Sequence, residues 1–106
     1  MNTSTMEQTE LTKILEGNER VVVKFEGKWC GPCKQLQPIL DEALKGYEGQ
    51  VVLYKADTET HAQETIDFGI SSLPTLVYFR EGSPVATHVG LVSQKEIADN
   101  IEKYLM

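Results

Sequence analysis

Cysteine is scarce in this chain: only two occur among its 106 residues, at positions 30 and 33. A disulfide-stapled secreted scaffold spreads more of them along its length, and a four-cysteine zinc site is out of reach. A mixed zinc site would need His61 and His88, the only two histidines, and both lie far from the cysteines in sequence. No apolar run approaches the roughly 20 residues needed to span a bilayer as a helix. Residues 1–7 carry neither a basic nor an apolar stretch, so no secretory signal is read there. Basic side chains are also short: ten Lys and Arg against sixteen Asp and Glu give a net charge of -6. That balance argues against nucleic acid and against anionic membrane surfaces, both of which need clustered cations. Repeats, low-complexity tracts and linkers are missing as well. A single domain spanning 1–106 is therefore expected, monomeric and cytoplasmic.

What is present is a regular alternation of helical and strand patterns. Leu11, Ile14 and Leu15 give a first helix over 7–16, with Gly17 as its stop. Val21, Val22 and Val23 form an unbroken apolar run, which suits a central strand over 20–26 covered on both faces. Leu36, Ile39, Leu40, Ala43 and Leu44 mark a helix over 33–46, with Pro38 inside it as a source of a kink. A second strand over 51–57 and a short helix over 59–68, ended by Gly69, come next. A third strand over 74–80 then meets a turn at 81–84 and returns as a hairpin strand over 85–89. Ser93 and Glu96 fit a capping box that opens a last helix carrying Ile97, Ile101, Tyr104 and Leu105 inward. Strands joined by a crossover helix run parallel and the final pair antiparallel. The fold class is thus α/β, with a mixed sheet and helices on both faces. His61 and His88 read as ordinary surface residues.

The chemistry sits in Trp29-Cys30-Gly31-Pro32-Cys33-Lys34, between the first strand and the long helix. Two cysteines at this spacing on a helix start are close enough to close a small disulfide ring. Their environments differ. Cys30 precedes the helix, where unpaired amides and the positive dipole end favour a thiolate. Cys33 lies inside the first turn near Leu36 and Ile39, and burial disfavours its anion. Cys30 then attacks a partner disulfide, and Cys33 resolves the mixed disulfide that forms. Lys28 and Lys34 flank the site and add modest thiolate stabilisation. The competing readings of such a pair are an inert local disulfide, a buried apolar pair and metal ligation.

These residues resemble the active site of the thioredoxin family, and the likeness extends along the chain. Val21-Val22-Val23 resembles the family's central strand, and Pro38-Ile39-Leu40-Asp41-Glu42 its kinked helix. Lys55 with Asp57 resembles the next strand, Ser72-Leu73-Pro74-Thr75 the loop with a cis-proline, and Val89-Gly90 the substrate-facing glycine. The resemblance implies a thioredoxin fold, with a mixed sheet of four strands and about four helices. A fifth, amino-terminal strand found in many members is expected to be short or absent here, because residues 2–6 lack an apolar alternation. It implies a general protein-disulfide reductase that binds no cofactor, carries a redox-active Cys30–Cys33 disulfide and is recharged by NADPH through a flavin-containing thioredoxin reductase. Its partners would be that reductase and disulfide-containing proteins. It also implies a cis Leu73–Pro74 bond, with the Leu73 backbone pairing to an extended partner segment. Trp29, Gly31, Pro32, Leu73, Pro74, Val89 and Gly90 would then form a shallow, weakly specific patch.

Two positions depart from the family pattern. Lys24 stands where many members carry a buried Asp behind the second cysteine, and Glu26 where many have a Trp. Strand alternation puts Lys24 and Glu26 on one face, and Lys55 and Asp57 likewise share a face of the neighbouring strand. One expectation is a solvated pair, with Lys24 reaching outward to Glu26 or Asp57. The other is that proton handling has moved to Glu26 or Asp57 while Lys24 favours the thiolates by its charge. Beside the general reductase stand two further readings, a dedicated electron donor to one partner enzyme and a non-catalytic binding module.

Overall fold

Why these segments form these elements is visible in a computed structural model that describes residues 9–106. The amino-terminal strand position, residues 2–6, lies outside the described residues, as do the first two residues of the helix expected over 7–16. Helix α1 spans Glu10–Gly17, capped by Thr9, whose side chain accepts the Thr12 N–H at 3.1 Å. Gly17 is not the stop. It is the last helical residue, and Asn18 ends the helix by donating its side-chain amide to the Ile14 carbonyl at 2.9 Å.

Strand β1, Arg20–Glu26, has the bounds the sequence predicts, and Val21 through Phe25 are buried without a break. Helix α2, Gly31–Leu44, begins two residues earlier than expected because Cys30 serves as its cap, and it runs unbroken across Pro38 into a short turn of 3₁₀ helix, Lys45–Tyr47. Strand β2 is Val52–Asp57. Helix α3, Ala62–Asp67, starts later than the sequence predicts. The delay comes from Asp57: its Oδ1 accepts the Glu59 N–H and its carbonyl the N–H groups of Thr60 and His61, which holds those residues in a turn. Left-handed Gly69 (φ 69°) closes α3, with the Ile70 N–H donating to the Thr65 carbonyl.

Strand β3 is Thr75–Arg80 and β4 is Ser83–Val89. The turn between them is only two residues long. Glu81 and Gly82 both adopt left-handed backbone (φ 53° and 83°), the geometry that matches strand twist in tight hairpins. Ser83 and Pro84 therefore belong to β4 rather than to the turn. Pro84 is tolerated because β4 is an edge strand, and the register shift opposite Tyr78 and Phe79 bends that edge. Helix α4, Gln94–Asn100, opens with the expected capping box, Ser93 and Glu96 each receiving the other's backbone N–H. It widens into a π-helical turn over Ile101–Leu105. Ile97, Ile101 and Leu105 recur every four residues, slightly more than the α period of about 3.6, and the widening keeps all three buried. Arg20 Nε donates to the Leu105 carbonyl at 2.6 Å and pins the end of the chain to β1.

The sheet order is β2-β1-β3-β4, with β1 parallel to β2 and antiparallel to β3, and β4 antiparallel to β3. Alternation along the strands splits the interior into two clusters. Val22, Leu76 and Tyr78 face α2 and α4, meeting Leu36, Leu40, Ile97 and Ile101. Val21, Val23, Phe25, Val77 and Phe79 face the other way, against Leu11 and Leu15 of α1 and the partly buried Phe68, Ile70 and Leu73. Each fully buried Leu contributes about 1.5–3 kcal/mol relative to exposure. Among the described residues no helix is long and apolar enough to cross a membrane.

The two histidines are not free surface residues. His61 is half-buried, its Nε2 2.8 Å from the Tyr54 hydroxyl, and His88 stands 3.0 Å from the Tyr78 hydroxyl through Nδ1. Both pairs meet edge to face, so each imidazole covers a tyrosine ring at the rim of a core.

Replacing Ser93 with Ala is expected to lower stability by about 1 kcal/mol, read as a reduced urea midpoint at unchanged slope. Burial and then the hydrogen bond to Glu10 push the Tyr54 hydroxyl up from 10.0 to about 12. The folded chain thus keeps a proton that the unfolded chain loses, and this contribution is full below pH 10 and disappears as pH rises through about 12. Urea unfolding of Tyr54→Phe over an alkaline pH series is expected to show a shallower decline than the parent chain.

Candidate active site

Strand β1 ends at Glu26 and delivers the loop of Gly27, Lys28 and Trp29 to the start of α2. Cys30 caps that helix in extended backbone (φ -115°, ψ 101°), and its sulfur accepts the Cys33 N–H at 3.1 Å. One of the helix's unpaired amides is thus turned on the Cys30 sulfur. Pro32, in the first turn, needs no intrahelical donor and costs the helix nothing. The two cysteines are joined in a disulfide with their Cα atoms 5.3 Å apart. Cys33 is 2% exposed, whereas Cys30 is half-buried.

Around the pair the surface is open. Trp29 is 93% exposed, more fully than a partly covered core residue would be, and Gly31 and Pro32 are exposed. A Cβ on Gly31 would meet nothing within 4 Å, so internal packing does not demand a glycine there. The Leu73–Pro74 bond is cis, as the resemblance implies. Gly90, left-handed at φ 86°, donates its N–H to the Pro74 carbonyl at 2.8 Å, which ties the β4 end to the proline loop. Leu73 is half-buried, Pro74 is buried and Val89 is 61% exposed. Gly27, which the sequence reading passed over, has a steric reason: its Cβ would stand 3.2 Å from Leu73 Cδ1. A side chain there would press on that methyl, which would have to give by a few tenths of an ångström.

Behind Cys33 lies a cleft of about 350 Å³, lined from β1 by Lys24 and Glu26 and from β2 by Lys55 and Asp57. Lys28, Lys34 and Gln37 complete it. The register sets Lys24 beside Lys55 and Glu26 beside Asp57. Like charges thus sit across the strand pair, and compensation has to run along each strand. Lys24 finds it there, its Nζ 2.7 Å from Glu26 Oε1. The expected pairing with Glu26 is present, but the ammonium does not reach outward. Lys24 is 2% exposed, because its face of β1 is roofed by α2. The second partner is Gln37, whose side-chain carbonyl accepts from Lys24 Nζ at 2.7 Å and whose amide donates to Asp41 at 2.8 Å. Leaving such a buried ion unpaired would cost about 3–5 kcal/mol. Asp57 lines the cleft but spends its Oδ1 on the Glu59 N–H. Gln37 was missed from sequence, although its place one turn after Cys33 on the same helical face signals it. The rim pair Lys28–Glu59, at 3.7 Å and largely exposed, contributes little. Among the described residues no group of three potential ligands is placed to hold a metal ion.

This geometry matches known proteins along nearly the whole chain. The family model for thioredoxin covers residues 2–103. The chain belongs to the thioredoxin family. It is 37% identical over 92 residues to the chloroplastic M-type thioredoxin of spinach, covering 87% of this chain and 51% of that one. The chain therefore spans about half the length of that relative. Against thioredoxin 1 of a Nostoc species it is 36% identical over 93 residues, 88% of this chain and 87% of the other. The solution structure of oxidised thioredoxin from Plasmodium falciparum superposes with a TM-score of 0.81 at 35% identity, covering 94% of each chain. As a thioredoxin family member with both cysteines in place, the protein is a thiol–disulfide oxidoreductase, and Cys30–Cys33 is its redox-active disulfide.

Proposed function

We propose that the chain is a monomeric, cytoplasmic, general reductase of protein disulfides, acting as one domain over 1–106. Cys30 is the attacking sulfur and Cys33 the resolving one. The observation that carries this order is the contrast in access, Cys33 at 2% exposure against a half-buried Cys30 at the helix cap. In the reduced state the Cys30 thiolate attacks one sulfur of a partner disulfide, and the other partner sulfur leaves as a thiolate. Cys33 then attacks Cys30, which reforms the internal disulfide and frees the second partner thiol. Electrons for the next cycle come from NADPH through a flavin-containing thioredoxin reductase, which reads the same disulfide. A reducing compartment suits a dithiol that has to be regenerated.

Trp29, Leu73, Pro74, Val89 and Gly90 receive the partner as an extended segment, with the Leu73 backbone as the pairing edge. The patch offers apolar area and few fixed polar contacts, which suits many partners better than one.

A Cys33→Ser variant is expected to accumulate mixed disulfides on Cys30, and Cys30→Ser to form none and to lose reductase turnover. Mass spectrometry of the trapped species counts the partners. A single trapped protein would replace the general reading with a dedicated donor, and none at all would sink both. Val89→Asp puts a charge on an exposed part of the patch. It is expected to raise KM for a protein disulfide about tenfold, the equivalent of ~1.4 kcal/mol, while reduction of a small disulfide is unchanged.

A further inference from the structure

Lys24 takes no part in the exchange just described, yet it is the most deeply buried charge at the site. Its ammonium is held between Glu26 and Gln37, in the cleft that Cys33 also lines. Other charges facing this cleft are weaker claimants. Asp57 is bonded to the Glu59 N–H, and Lys28 is paired with the Glu59 carboxylate. Lys34 and Lys55 are exposed, where water and salt screen them. Asp41 reaches the ammonium only through the Gln37 amide.

Resolution requires the Cys33 thiol to give up its proton in a place where burial disfavours the anion. An ammonium fixed nearby offsets that cost. With Glu26 accepting the proton, the net charge of the shared cleft is conserved, and Gln37 still accepts from the ammonium. Resting on the reductase reading above, we propose that Lys24 is the positioning residue that sets the ionisation of Cys33. Glu26 receives the proton and Gln37 holds the ammonium in place.

The proton on Cys33 Sγ passes to the Glu26 carboxylate, and the resulting thiolate attacks Cys30 Sγ. The Cys30–Cys33 bond forms as the bond to the partner sulfur breaks, and the electron pair leaves on that sulfur, which is protonated by water. Glu26, 27% exposed, returns its proton to solvent. Over the cycle the dithiol loses two electrons and the partner disulfide gains them.

An aromatic disulfide whose thiolate is coloured, dithio-bis-nitrobenzoate, separates the two half-reactions with the reduced full-length protein. The first coloured thiolate reports attack by Cys30 and the second reports resolution by Cys33. Lys24→Met is expected to leave the first phase unchanged. It should slow the second about tenfold near neutral pH and raise its pH midpoint by ~1 unit. Lys24→Arg is expected to restore most of the rate. Methionine fills the same apolar stem space, and Glu26, 27% exposed, keeps contact with water once its partner is gone. Should Lys24→Met not fold, Gln37→Leu and Glu26→Gln, both at half-buried positions that keep the lysine, are expected to slow the second phase alone. A second phase that matches the parent chain at every pH in these variants overturns the proposal and leaves the reductase intact. No second phase in the parent chain overturns the reductase reading itself.

Discussion

The site depends on one constraint: β1 is covered on both faces and stops at Glu26. Five consecutive residues, Val21 through Phe25, are buried, so the strand has no freedom to slide or tilt. A one-residue slip would exchange the residues of the two clusters and put Lys24 among Phe25's neighbours. The loop that follows is therefore launched from a fixed point, and α2 begins within five residues of the strand's end. That short reach gives Cys30 its place as the helix cap and Cys33 its place under the first turn. The difference between the two sulfurs is a product of sheet packing as much as of the local motif.

Much of this was legible in the sequence because it was encoded in local pattern. The Val run of β1 and the Ser93–Glu96 box gave element positions directly, and the cysteine spacing gave the chemistry. The element ends that were misjudged were decided by side chains acting on their own backbone. Asn18 and Asp57 each supply a hydrogen bond that competes with helix, and neither has a periodic signature. The hairpin turn was read as too long because Pro84 looks like turn punctuation, whereas an edge strand accommodates it.

The least legible features are those that need three-dimensional neighbours. The sequence left Lys24 between a solvated pair with a carboxylate and a cation acting on the thiols, because pattern alone does not give its burial. Its burial follows only once α2 is known to lie over that face of β1 and to place Gln37 above it. The tyrosine partners of the histidines were not legible either, since His88 meets Tyr78 across the β3–β4 pair and His61 meets Tyr54 through the turn after β2, not through sequence surroundings. Net charge describes only the whole molecule. The chain is acidic overall, but the cleft behind Cys33 gathers four lysines against two carboxylates.

The two-sided interior has a consequence for how this protein fails. The helix that carries the cysteines is anchored in the cluster around Leu36 and Leu40, whereas Leu73, beside the cis-proline, belongs to the cluster around Phe25 and Phe79. The dithiol helix and the proline loop are therefore seated in separate foundations on opposite sides of one sheet. Loosening the first unsettles the sulfurs while the proline loop stays put. Loosening the second disturbs the proline loop and leaves the dithiol seated.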